Sequence, residues 1–149
     1  MIQEFEDHVK KLRQSYVNAT LSQRISVARQ RMDNTDCGPN RLCTTFGALE
    51  AMARAVLLER MIKNSHPNLK AYEKIRLWNA TKLIESICAE QGISATDFFG
   101  QDWEVIQCAE KYRNLLTHEA TFLREDYSSQ LIGACQRGIN KIEQDWLSL

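Results

Sequence analysis

The chain has 149 residues, 44% hydrophobic and 26% charged, a balance that excludes a disordered chain and is long enough to bury roughly two-thirds of the unfolded surface without metal or disulfide help. Nineteen basic and nineteen acidic residues give a formal net charge of zero, which excludes coating nucleic acid through an overall positive field; such a partner would need a local basic site. No apolar stretch approaches the ~20 residues that cross a bilayer, and the start MIQEFEDHVKKL lacks the short apolar core of a signal peptide, so a cytoplasmic protein without membrane association is expected.

Two prolines and six glycines cut the chain into helix-length pieces with no strand-like alternation between them. This predicts an all-α fold: one domain over residues 1–149, an up-and-down bundle of about five helices. The first helix, residues 2–33, carries Phe5, Val9, Leu12, Tyr16 and Ala19 at helical spacing, then Leu21, Ile25, Ala28 and Met32, with a kink expected near 18–22. Residues 33–40 gather turn formers around Gly38-Pro39 and predict a loop. The second helix, 42–63, contains FGALEAMARAVLLERMI, apolar on more than one side as a central core helix would be. The third, 69–91, turns Tyr72, Ile75, Trp78 or Leu77, Leu83, Ile84 and Ile87 inward and stops at Gly92. Residues 94–100 predict a brief turn with Thr96 or Asp97 as its cap. Helices over 101–119 and 124–147 complete the bundle, with short connections that favour antiparallel neighbours.

Five cysteines, Cys37, Cys43, Cys88, Cys108 and Cys135, are odd in number and scattered, which reads as reduced, buried thiols. Cys37, Cys43 and His66 are the only group suggestive of a metal, and C-x5-C without a second paired cluster matches no common zinc pattern. Neither a metal nor a cofactor is expected.

Chemistry concentrates in the fourth helix. Val105, Ala109, Tyr112 and Leu116 follow one another by four, three and four residues and line one narrow face. At about 100° per residue, Asn114 and His118 fall roughly opposite that stripe, one turn apart, and Arg113 lies on the flank with a side chain long enough to curl toward them. A guanidinium can neutralise a phosphate bidentately, an imidazole can move a proton near neutral pH, and an amide can donate and accept. Three polar residues on a solvated helix face are the alternative reading.

RNLLTH, residues 113–118, resembles the R-x4-6-H signature of HEPN domains, a family with many ribonucleases, in which a polar residue, often Asn, follows the Arg. The length, the helical architecture and an Ala/Leu-rich second helix with an embedded acid, Glu50, are similar to that family too. The resemblance implies a homodimer whose motif-bearing helices face each other, so that two Arg/His sets form one composite cleft. It implies metal-independent cleavage of RNA, in which the ribose 2′-OH attacks its own phosphate to leave a cyclic phosphate and a free 5′-OH. In these terms His118 is the general base or acid, Arg113 holds the phosphate, and Asn114 orients one of them. A toxin or phage-defence role, with an antitoxin partner, is also implied. Toxins whose partner modifies them extend the motif to R-x4-H-x-Y; here Ala120 takes the Tyr position, and Tyr112 and Tyr127 are out of register.

Glu50 is either an acid pointing into the cleft beside Arg113 or an ordinary boundary residue with Arg54 as its i,i+4 partner. Arg54 is either a surface ion pair or added positive charge for an RNA groove. Arg24, Arg29, Arg31 and Arg41 cluster near the end of the first helix, where they either steer RNA or are solvated among acids. Trp78, Trp103 and Trp146 are expected as core or interface anchors. The competing function is a non-catalytic helical module that binds RNA or a partner protein through the same face.

Overall fold

The computed structural model describes residues 2–30, 32, 39–119 and 125–147. Among them all regular structure is helical: α1 (Ile2–Asn18), α2 (Leu21–Gln30), α3 (Pro39–Lys63), α4 (Asn68–Ile75), α5 (Ala80–Glu90), α6 (Ala95–Phe99), α7 (Asp102–Glu119) and α8 (Glu125–Trp146). None is long and apolar enough to cross a membrane.

The expected central helix is α3, which packs against α2, α4, α5, α7 and α8. Leu42, Phe46, Leu49, Met52 and Leu58 along it are fully buried, each worth roughly 1.5–3 kcal/mol over exposure. α3 begins at Pro39, three residues before the predicted start, because proline's fixed φ and missing N–H suit the first helical position. The expected loop therefore ends before Pro39, and residues 33–38 lie outside those described.

Two predicted helices are each divided. The first breaks at Ala19-Thr20, inside the expected kink, and the break is built by hydrogen bonds. Thr20 Oγ1 accepts from the Gln23 amide (3.1 Å) while Gln23 Oε1 accepts from the Thr20 amide (2.9 Å), a reciprocal capping box that starts α2. The segment predicted as one helix over 69–91 is α4 and α5, separated at residues 76–79. Asn79 leaves helical geometry, and its side chain accepts from the Lys82 amide as the α5 N-cap. Among the described residues eight helices thus stand where about five were expected.

Gly92 ends α5 as predicted, at φ 75°. The Gly92 amide donates to Ala89 O and the Ile93 amide to Cys88 O, the double closure of a Schellman motif. α6 is capped by Ser94, whose side chain accepts from the Asp97 amide, and not by Thr96 or Asp97. Gly138 lets α8 approach closely, since a Cβ there would stand 3.0 Å from Ile106 Cδ1 and 3.5 Å from Leu49 Cδ1. Trp103 and Trp146 are buried anchors as expected, stacked on Phe99 and Phe98 respectively. Trp78 is half-buried with the Lys82 ammonium 4.1 Å from its ring centroid.

The four described cysteines are free thiols, as expected, but only two of them are buried. Cys88 and Cys135 are buried, Cys43 is half-buried, and Cys108 is exposed. Cys37 lies outside the described residues. Cys43 sits near the start of α3 and His66 just beyond its end, about 30 Å apart along a helix of that length, so the two cannot share an ion. Among the described residues no group of three or more His, Cys, Asp or Glu is placed to hold a metal.

Candidate active site

α7 is pinned at its start. Asp102 accepts from Arg137 Nε (2.8 Å) and Nη2 (2.9 Å), a bidentate pair with α8 that also puts an acid in the first turn of α7. Trp103, Ile106 and Ala109 are buried behind it. Of the predicted stripe only Ala109 is fully buried; Val105, Tyr112 and Leu116 pack partly exposed against the core. The inward face is thus turned toward Ile106, and one turn beyond Ile106 and Ala109 that same face reaches Arg113.

Arg113 consequently faces inward, which corrects the expectation of a polar trio presented outward. Its side chain is 25% exposed, and Nη2 donates to Glu50 Oε2 on α3 at 3.2 Å. Nε donates to Asn114 Oδ1 at 3.0 Å, and the guanidinium carbon lies 4.9 Å from the centroid of the buried Phe46 ring. One carboxylate, one amide and one aromatic face hold the group, a cation over a π-face adding to the ion pair. Nη1 has no hydrogen-bond partner among the described residues.

Glu50 serves two cations. Its Oε1 accepts from Arg54 Nη2 at 3.1 Å while Oε2 takes Arg113, so Glu50 has both the i,i+4 partner and the neighbour expected for it. The same Arg54 nitrogen donates to the Trp78 carbonyl at 2.8 Å, tying α3 to the turn between α4 and α5. Arg54 is thereby a structural ion pair, not free charge for a groove. One turn back on α7, Glu110 Oε2 accepts from Thr81 Oγ1 of α5 at 2.7 Å, while Glu110 Oε1 and Arg54 Nε are buried without partners among the described residues. A polar seam therefore runs between α3, α5 and α7.

Asn114 and His118 are exposed. His118 lies five residues beyond Arg113, about 140° further round the helix and about 7.5 Å along it. The fold brings Arg113, Asn114, Glu50 and Arg54 together and leaves His118 apart from them, in the last turn of α7. Leu115, beside it, is exposed at 39%.

Phe46, Thr81 and Glu110 escaped the sequence reading. Phe46, Glu50 and Arg54 stand at four-residue intervals and share one face of α3, a spacing that could have marked Phe46. The basic cluster dissolves. Arg24 is buried and donates Nε to Tyr16 O (2.9 Å) and Nη2 to Val17 O (3.0 Å), and Arg29 pairs with Glu143 (2.7 Å). Arg41 donates to Met32 O (2.8 Å), and Arg31 lies outside the described residues. Arg24, Arg29 and Arg41 thus each have an acceptor in a neighbouring segment of the fold. No family model, curated protein or solved structure matches the chain.

Proposed function

We propose that this chain is one half of a HEPN-like, metal-independent endoribonuclease whose cleft is completed by a second copy. The reading rests on the Arg113 guanidinium, oriented by Glu50, Asn114 and Phe46, with exposed His118 five residues further along the same helix. Arg113 binds the phosphate oxygens through its remaining N–H groups and stabilises charge developing on phosphorus. An imidazole takes the proton from the ribose 2′-OH as that oxygen attacks, and the departing 5′ oxygen is protonated in turn, which yields a cyclic phosphate and a 5′-OH. The divergence of Arg113 and His118 around α7 suits a composite site, in which the arginine of one copy and the histidine of the other meet at one phosphodiester. The required 2′-OH makes the substrate RNA. Control by an antitoxin, and a role as a toxin or in phage defence, belong to the same reading.

A second reading has an observation in its favour: Glu50 neutralises Arg113 within the chain. In that case the α7 face is a non-catalytic surface for RNA or a partner protein. Incubation of purified protein with tRNA, mRNA and rRNA in EDTA, alongside His118→Ala and Arg113→Ala, separates the two. Cleavage that leaves cyclic phosphate ends and vanishes in both variants supports the nuclease. An intact substrate with wild-type protein, or cleavage undiminished in His118→Ala, overturns it; RNA retained equally by wild type and His118→Ala then supports the module.

A further inference from the structure

α1 is a helix without a buried face over most of its length. Between residues 2 and 15 every described side chain but that of Arg13, which is half-buried, is exposed. Of the other helices α1 packs mainly on α4, where Tyr16 meets Tyr72 at 5.4 Å. Ile2, Val9 and Leu12 are 75%, 42% and 56% exposed. Isolated helices of about this length are marginal in water, so four turns of amphipathic helix projecting from a bundle call for a covering surface.

The sequence of α1 specifies that surface. Ile2, Phe5, Val9, Leu12 and Tyr16 follow one another in steps of three, four, three and four, the a/d seam of a two-stranded coiled coil. Charge along the helix is divided: Glu4, Glu6 and Asp7 come first, Lys10, Lys11 and Arg13 after, and none of the six enters an ion pair among the described residues. An acidic half followed by a basic half is complementary to itself when reversed. We infer that α1 pairs antiparallel with α1 of a second copy of this chain.

The register follows from the seam. Setting Val9 against the partner's Leu12 brings Glu6 and the partner's Arg13, both at e positions, onto the same flank of the seam, two residues out of step and within reach of each other, and twofold symmetry makes that contact twice. It also brings the partner's Ile2 to Ala19, over a groove of about 470 Å³ lined by Leu12, Tyr16, Ala19 and Val27. Val27 is itself 60% exposed. A parallel pair would instead set His8 beside the partner's Arg13, with no attraction. Because Glu6 and Arg13 are seven residues apart, too far to pair within one helix, their coupling is a property of the dimer alone.

This pairing uses α1 and does not rest on the nuclease reading. If α7 faces also pair, two different twofold contacts on each copy give assemblies larger than a dimer, which fall to α7 dimers when α1 is broken. Sedimentation equilibrium of the full chain, with circular dichroism as a control on folding, tests it. Val9→Glu should lower the mass, to 17.2 kDa or to that of the α7 dimer, with helicity retained. Glu6→Arg alone and Arg13→Glu alone should each weaken association roughly tenfold, since two attractive contacts become repulsive. The double variant Glu6→Arg/Arg13→Glu should restore it. A monomeric wild type, a mass unmoved by Val9→Glu, or a double variant no tighter than the singles overturns the inference; loss of RNA cleavage with the association pattern intact bears only on the α7 site.

Discussion

Glu50 is the residue on which the polar seam depends, and replacing it tests the site's energetics directly. Exposed ion pairs contribute roughly 0–1 kcal/mol, whereas removing one partner of a fully buried pair costs roughly 3–5 kcal/mol. The three side chains here are between 16% and 25% exposed, which sets Glu50 between those limits. Glu50→Ala leaves Arg54 with the Trp78 carbonyl and Arg113 with Asn114, so neither cation is wholly stripped. A loss of about 2–3 kcal/mol is expected, and about 1–2 kcal/mol for Glu50→Gln, which keeps one acceptor. At ~2–4 °C per kcal/mol for a chain of this size, Glu50→Ala should lower Tm by about 5–10 °C. Urea titration gives the free energies, and a double-mutant cycle of Glu50→Gln with Arg113→Met should return a coupling of about 1 kcal/mol. A Glu50→Ala protein within about 0.5 kcal/mol of wild type, or a coupling indistinguishable from zero, would refute the assignment of Arg113 to an inward, carboxylate-held position.

Two glycines on α8 should respond in opposite directions. Gly133→Ala meets only the flexible end of Arg137 at 3.2 Å and should gain about 0.5–1 kcal/mol of helix propensity, whereas Gly138→Ala presses on Ile106 at 3.0 Å and should lose about 1–2 kcal/mol; paired urea melts giving the reverse order would sink this account of the α8 packing. Burial pushes the Cys88 and Cys135 thiols up to about 11 and about 12, so both stay protonated at pH 8, while Cys108 is exposed. Thiol labelling of native protein followed by peptide mapping should find Cys108 modified well before either; label on Cys88 or Cys135 without denaturant would contradict it. The hydrogen bonds from Arg137 hold the Asp102 carboxyl below its ordinary range. A folded value below the unfolded one means that the pair's contribution is complete above about pH 4 and lost as pH falls through the lower folded value. The stability gap between wild type and Arg137→Ala should accordingly be flat from neutral pH to about pH 5 and close in stronger acid; a gap that widens with acid would show the sign to be wrong.

Periodicity made the helices legible because most report a buried face, and α3, apolar on more than one side, announced its place at the centre. The divisions within predicted helices were harder to see. Between Ile75 and Ala80 there is neither proline nor glycine, and only the competition of the Asn79 side chain for a backbone amide separates α4 from α5. The box around Thr20 and Gln23 was written in the sequence as T-x-x-Q, yet an apolar spacing that continues across it reads as one kinked helix. Arg113 shows the limit of one-dimensional reading. Its angle on α7 placed it on the flank, but whether it turned outward to Asn114 and His118 or inward depended on an acid 63 residues away. Likewise nothing local distinguishes Arg24 from Arg29; the break in the helix at Ala19-Thr20 leaves the Tyr16 and Val17 carbonyls for the first.

That break has a mechanical meaning. The Arg24 guanidinium spans two carbonyls at the end of α1 while its Nη1 lies 3.5 Å from Glu59 on α3 and its carbon sits 5.2 Å from the Tyr16 ring. A junction bolted at three points behaves as a rigid elbow, not as a swivel, and the outstretched helix beyond it leaves the body at a set angle. An arm held so surrenders little orientational freedom when it is gripped, and the entropy that a tethered but floppy segment would forfeit on capture has already been lost in folding.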